Sequence, residues 1–95
     1  MPGARDAAIR IRKDVVFRDL EGEMVLLNLA TGVYFGLDPV GTRIWALIDA
    51  GRTVEQIVSA ITAEYDVDAA VCRADLERFL ATLRDNDLVD LSDGR

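Results

Sequence analysis

The spacing of apolar residues changes once along the chain. Between residues 15 and 37 they alternate with polar residues or form short runs, as in strands, and between residues 40 and 83 they recur every three or four positions, as in helices. The change falls at Asp38-Pro39. Asp38 can accept from the N–H groups of a first helical turn, and Pro39 already has the φ of a first helical residue. The pattern therefore predicts a sheet followed by helices.

Three strands are predicted before this junction, at residues 15–17, 24–29 and 33–37. Gly22 and residues 30–32 lie in the turns between them, and turns this short join antiparallel neighbours. The second strand is apolar at nearly every position, which is typical of a central strand. We expect a three-stranded meander with the strand at 33–37 on an edge.

Three helices are predicted after the junction. The first starts at Pro39 and ends before Gly51, which stands where a left-handed C-cap residue belongs. The second starts at a capping box formed by Thr53 and Gln56, and the third is capped by Asp68. The fold class is therefore α+β and winged-helix-like, a three-stranded antiparallel sheet followed by three helices.

The chain of 95 residues suffices for one small domain with one core. We expect a flexible N-terminal segment at residues 1–13, a folded domain at 14–91 and a frayed tail at 92–95. Within the first segment, the weak alternation of apolar and basic residues at 9–13 is compatible with a short extended segment on the surface. Residues 88–91 are expected to be a short extended segment that can return to the core.

The amino-acid composition limits the classes of partner that the protein is expected to bind. The net charge of −6 and the pI near 4.5 argue against nucleic acid, because neutralising phosphates requires clustered Lys and Arg. The second and third helices still resemble a helix-turn-helix, so a DNA-binding regulator remains an alternative. No apolar stretch has the length of a signal peptide or membrane span, and the single cysteine forms no internal disulfide. We expect a cytoplasmic protein with no membrane partner.

Catalytic chemistry has little support in the sequence. Histidine is absent, and Cys72 falls on the apolar face of the third helix, as a core residue would. The glycines at 32, 36 and 41 form no phosphate loop, and we expect them in turns, close packing and helix–sheet contacts. The sequence therefore predicts no catalytic residue, no metal site, no cofactor and no enzymatic activity.

The third strand is predicted to be an open edge. Residues 32–37 contain none of the lysines, prolines or bulges that usually protect an edge, and Val33, Tyr34 and Phe35 are β-prone. An extended peptide can add here as a fourth strand. Alternatively, the edge is covered by residues 88–91, by the N-terminus or by a second copy. A monomer or a weak homodimer is expected.

An ordered series of motifs carries a family resemblance. It comprises VLLNL at 25–29, GVYFGL at 32–37, GTRIW at 41–45, GRTV at 51–54, YDV at 65–67, and Asp75-Leu76 with Phe79-Leu80 and Leu83. Over about residues 14–91 the chain resembles the PqqD-type family, also called RiPP precursor peptide recognition elements. The resemblance implies a non-catalytic protein that binds the leader segment of a ribosomally made precursor peptide and presents it to modifying enzymes.

The resemblance also implies a site. In the family, the leader pairs antiparallel with the third strand and lies between that strand and the third helix. Carried over to this chain, the peptide-binding residues are Val33, Tyr34, Phe35, Gly36, Val71, Asp75, Leu76, Phe79 and Leu83. A helical wheel places Leu76, Phe79 and Leu83 on one face, so Phe79 is expected to be shared between core and groove. Leu76 and Leu83 are expected to pack mainly in the core, and Asp75 either contacts the leader or is a solvated carboxylate.

Two pathways fit the resemblance. The strand–helix junction is more similar to the stand-alone leader-binding proteins of lasso-peptide clusters, whose partners are a leader peptidase and an ATP-dependent cyclase. The alternative is a chaperone that works with a radical S-adenosylmethionine enzyme, as the original PqqD proteins do. The chemistry of the residues does not separate the two.

Overall fold

The computed structural model describes residues 8–92. Its elements follow the chain in this order: strands β1 (Ala8–Ile11), β2 (Val15–Leu20), β3 (Glu23–Asn28) and β4 (Tyr34–Gly36), helices α1 (Pro39–Asp49), α2 (Val54–Glu64) and α3 (Ala69–Asp85), and strand β5 (Val89–Ser92).

The main sheet is the expected antiparallel meander in the order β2-β3-β4. Leu26, in the middle of β3, lies opposite Phe17 on one side and Phe35 on the other. Alternate residues of β3 are fully buried, and those between them are half-buried, because the helices pack on one face only. The α+β prediction of three strands followed by three helices is confirmed.

A second, two-stranded sheet joins the two ends of the described chain. In it β1 pairs antiparallel with β5, with Ile9 opposite Leu91 and Ile11 opposite Val89. Residues 8–11 therefore form a strand, in line with the weak alternation at 9–13, although we assigned them to a flexible segment. Ser92 belongs to β5, where we expected a frayed tail. The sequence signal was weak, since only two isoleucines alternate and their partners lie at the far end of the chain. The rest of both predicted segments, residues 1–7 and 93–95, falls outside the described residues.

The core lies between the main sheet and the three helices. Trp45 on α1 is fully buried, and its ring meets that of Phe17 nearly edge-on, with centroids 5.4 Å apart. Such edge-to-face pairs contribute about 1 kcal/mol beyond the area that they bury. This contact packs α1 against β2 of the main sheet.

The predicted start and stop signals are present. Asp38 Oδ1 accepts from the N–H of Gly41 at 2.7 Å, and the hydroxyl of Thr53 and the side chain of Gln56 form the capping box. Asp68 caps α3, and Gly51 has a φ of 82° after α1. Each cap is worth about 1 kcal/mol, so local sequence defines where each helix begins.

Candidate functional site

Strand β4 has an open edge. The N–H of Asn28 donates to the carbonyl of Val33 at 2.9 Å, and the N–H of Leu37 donates to the carbonyl of Met24 at 2.8 Å. Because an antiparallel ladder bonds alternate residues, Phe35 also faces β3, and the main-chain groups of Tyr34 and Gly36 point away from the sheet. Within residues 8–92 no strand pairs with this edge, and β5 pairs with β1 instead.

Val33 does not share this property. Its carbonyl accepts from Asn28, and its N–H donates to Thr31 Oγ1 at 3.1 Å. Asn28 is itself buried, and its amide oxygen accepts from the N–H groups of Ala30 and Thr31, which fixes the turn before β4. The open main-chain positions are therefore Tyr34 and Gly36.

A cavity of about 520 Å³ lies beside this edge. Its walls come from β4, the start of α1, the end of α2 and the first half of α3, and most of them are apolar. The lining residues are Phe35, Gly36, Leu37, Asp38, Val40, Gly41, Ile44, Ile61, Tyr65, Val67, Val71, Cys72, Asp75, Leu76 and Phe79. An edge strand beside an apolar groove can hold an extended polypeptide through its main chain and its alternate side chains.

The structure brings six of the nine sequence-predicted site residues to this cavity: Phe35, Gly36, Val71, Asp75, Leu76 and Phe79. Three lie elsewhere. Leu83 is fully buried in the core, and Val33 is in the turn region before β4. Tyr34 borders the open edge, but its side chain is 68% exposed on the outer face of the sheet.

Sequence reasoning missed the part of the wall formed by α1 and by the turn between α2 and α3. Val40 and Ile44 belong to the apolar stripe of α1, and Tyr65 ends the stripe of α2. The spacing of both stripes predicted only that the segments are helical, because periodicity does not separate a side chain packed against its own chain from one that faces an empty groove. Val67 lies between two aspartates in a turn, and no periodicity in the sequence marked it as part of a groove.

Phe79 joins the core to the cavity, as we expected from the helical wheel. It is half-buried, packs against the core cluster and lines the cavity. Its Cζ lies 3.5 Å from the place where a Cβ on Gly41 would stand. That distance is an ordinary van der Waals contact. The tight neighbour of the same position is Asp38 Oδ1 at 3.2 Å, so the close packing expected at Gly41 is against the cap of α1.

Gly36 was also expected to be a glycine because of close packing, and it is not closely packed. A Cβ built there has no atom within 4 Å, so no close packing requires glycine at this position.

The two carboxylates that line the cavity, Asp38 and Asp75, already have partners within the chain. Asp75 is exposed and paired with Arg78, and Asp38 caps α1. Burial raises the pKa of the Cys72 thiol above its ordinary value, and the nearby Asp75 carboxylate adds to the effect. A thiol that stays protonated is a poor nucleophile.

The described part of the chain contains no cluster of three or more Cys, Asp or Glu side chains arranged to hold a metal ion. In the same residues, no helix combines the length and apolar character that crossing a bilayer requires.

The edge strand and the groove define a small α+β domain suited to binding an extended chain. The family model described as coenzyme PQQ synthesis protein D (PqqD) matches residues 23–89. The chain belongs to the PqqD family. A comparison with curated proteins finds no match.

Solved structures agree with this family. The chain is similar to TbiB1 in complex with the TbiA(beta) leader peptide, with 47% identity, a TM-score of 0.84, and coverage of 85% of this chain and 94% of that one. It is also similar to the PqqD truncation of Methylobacterium extorquens PqqCD, described as a functional and stand-alone RiPP recognition element, with 30% identity, a TM-score of 0.71, and coverage of 87% and 88%. Lasso peptide synthetase B1, complexed with the leader peptide, shares the fold at 23% identity, a TM-score of 0.77, and coverage of 86% and 96%.

Proposed function

We propose that this protein is a RiPP recognition element that binds the leader segment of a ribosomally synthesised precursor peptide. The leader adds to β4 as an antiparallel fourth strand and is delivered to modifying enzymes. The observation that carries the proposal is the pair of outward-facing main-chain positions, Tyr34 and Gly36, directly beside an apolar cavity. The protein supplies binding and positioning but no catalytic group.

The alternation of side chains in the sheet gives the bound strand a pattern. Peptide residues opposite Tyr34 and Gly36 exchange main-chain hydrogen bonds with them and place their side chains on the outer face of the sheet. Peptide residues opposite Phe35 and Leu37 point to the other face, into the cavity. Leu76 and Phe79 line the same cavity, so these inward peptide residues are apolar.

Lasso-peptide biosynthesis is the pathway that we favour. The relative TbiB1 is 47% identical and is described in complex with a leader peptide. The similarity extends over most of both chains. The partners are then a leader peptidase and a cyclase in the cytoplasm. The PqqD family match and the 30% identical Methylobacterium relative support the second candidate, a chaperone partner of a radical S-adenosylmethionine enzyme. Co-purification with a leader peptidase or with a radical enzyme separates the two pathways.

Binding of the fluorescently labelled TbiA(beta) leader peptide, measured by anisotropy, tests the proposed function. We expect saturable binding by the wild-type protein. Tyr34→Pro removes an outward N–H that β3 does not use, and proline is tolerated on such an edge. Tyr34→Val is the matched control, since it removes the ring but keeps the donor. Tyr34→Pro is expected to bind more weakly than Tyr34→Val.

Phe79→Ala tests the groove wall. Loss of a ring that contacts a buried peptide side chain lowers affinity by about ten- to a hundredfold. Because Phe79 also packs on the core, thermal unfolding of each variant establishes that the binding assay is run below its midpoint. Absence of binding by the wild-type protein, or equal affinity of all four proteins, would refute the proposed function.

A further inference from the structure

Gly36 is a glycine that the folded chain itself does not require. Its φ is not among the positive values found at Gly22, Gly32 and Gly51, and no atom stands within 4 Å of a Cβ built on it. Glycine weakens a strand, because it loses more conformational freedom on folding than other residues and has no side chain to pack. In a strand it often marks the close approach of a ligand.

The missing side chain leaves a gap on the outer face of the sheet. Gly36 pairs with Val25, and strand alternation places both on the outer face, together with Tyr34 two residues earlier. Val25 is half-buried and Tyr34 is 68% exposed. The floor of the gap is therefore the main chain of Gly36, with an aliphatic side chain behind it and an aromatic ring beside it.

The gap lies where a bound strand brings a side chain. In antiparallel pairing, the peptide residue opposite Gly36 stands about 5 Å away and projects onto the same outer face. Because Gly36 has no Cβ to block the side chain of that peptide residue, a long flat side chain can lie across the glycine and reach Val25. An aromatic ring covers an edge glycine well, because its flat face replaces the packing that the glycine lacks.

We propose that Gly36 is a specificity-determining residue, which selects a leader peptide with an aromatic side chain at the position paired with it. This inference rests on the proposed function and refines it, since it concerns the outer face of the sheet and not the cavity.

Gly36→Val and an alanine scan of the TbiA(beta) leader peptide test the inference together. The valine fits an ordinary strand, so the thermal midpoint is expected to stay equal or to rise. Affinity for the peptide is expected to fall about tenfold, because the branched side chain occupies the gap. Arg18→Val is the control. Arg18 is on the same face of the sheet, but Val25 separates it from the edge where the peptide binds. This variant is expected to have the affinity of the wild type.

The scan locates the paired residue. With the wild-type protein, changing one aromatic residue of the peptide to alanine is expected to lower the affinity about tenfold. With Gly36→Val, the same change in the peptide is expected to lower the affinity only slightly further. An upfield shift of the Gly36 Hα on binding, caused by a ring above it, is the independent NMR readout. A peptide that binds Gly36→Val as tightly as the wild type, or no such shift, overturns this inference and leaves the proposed function intact. Failure of the wild-type protein to bind removes both.

Discussion

Cys72 gives the cavity a chemical reporter at the scale of one residue. It is the single cysteine of the chain, is buried and lines the cavity. Its pKa is raised from the ordinary 9.0, chiefly because burial disfavours the thiolate. We expect alkylation by iodoacetamide at pH 8 to be slower than for a free cysteine, and to accelerate as the pH rises beyond 9.

Peptide binding is expected to slow this alkylation further, because a bound side chain fills the space through which the reagent reaches Sγ. Mass spectrometry of the alkylated fraction over time measures the rate with and without the leader peptide. The control is the same protein unfolded in urea, in which the peptide should have no effect. A rate that a saturating peptide leaves unchanged would contradict the assignment of this cavity to the ligand.

Single residues also show where sequence reasoning succeeds. Phe79 was expected at the border of core and groove, because it stands at the edge of the apolar stripe of α3, and the structure places it there. Leu83 was expected to pack mainly in the core, and it is fully buried there. The position of Val33 was not foreseen. Whether a residue bonds inward or outward depends on the register of the ladder, which is not written in the local sequence.

At the scale of elements, one ion pair connects α1 to the end of α2. Arg43 binds Glu64 with Nε at 2.9 Å from Oε1 and Nη2 at 2.6 Å from Oε2. Glu64 immediately precedes Tyr65 of the cavity wall. The hydrogen bond from Arg43 lowers the pKa of Glu64 below its ordinary 4.5, aided by the opposite charge and opposed by desolvation.

The sign of the pH dependence follows from that shift. Since the pKa of Glu64 is lower in the folded protein than in the unfolded chain, its stabilisation is present above about pH 4.5 and is lost as the pH falls through the folded value. We expect Glu64→Gln to lower the thermal midpoint slightly at pH 7, because the pair is exposed and screened, and to have no effect at pH 2. A difference that persists at pH 2 would contradict the ionic origin.

Elements were predictable from the sequence where the signal is local. The caps at Asp38, Thr53 and Asp68 and the turn at Gly22 each satisfy main-chain groups within a few residues, so they can be read directly. The pairing of β1 with β5 could not be read, because it joins distant segments of four residues each. Short strands of this kind are defined by their partner rather than by their own pattern.

For the whole molecule, the β1–β5 sheet connects the start of the domain to α3 and the core. Ile9 and Ile11 are half-buried and pack against the core cluster. Deletion of residues 1–12 is expected to lower the free energy of unfolding by about 2–3 kcal/mol, since two half-covered isoleucines are lost. Urea unfolding followed by the fluorescence of Trp45 measures the loss, and Ile9→Ala with Ile11→Ala is the matched full-length variant. Unchanged stability would show that the domain begins at residue 14, as the sequence predicted.

The central claim is that the Tyr34 and Gly36 edge of β4 is open until a leader peptide completes the sheet. Amide hydrogen exchange by NMR tests it most directly. In the free protein we expect Phe35 and Leu37 to be protected by β3, while Tyr34 and Gly36 exchange fast; with saturating leader peptide, all four become protected. Protection of Tyr34 and Gly36 in the free monomer, or fast exchange at both in the peptide-bound protein, would contradict the account.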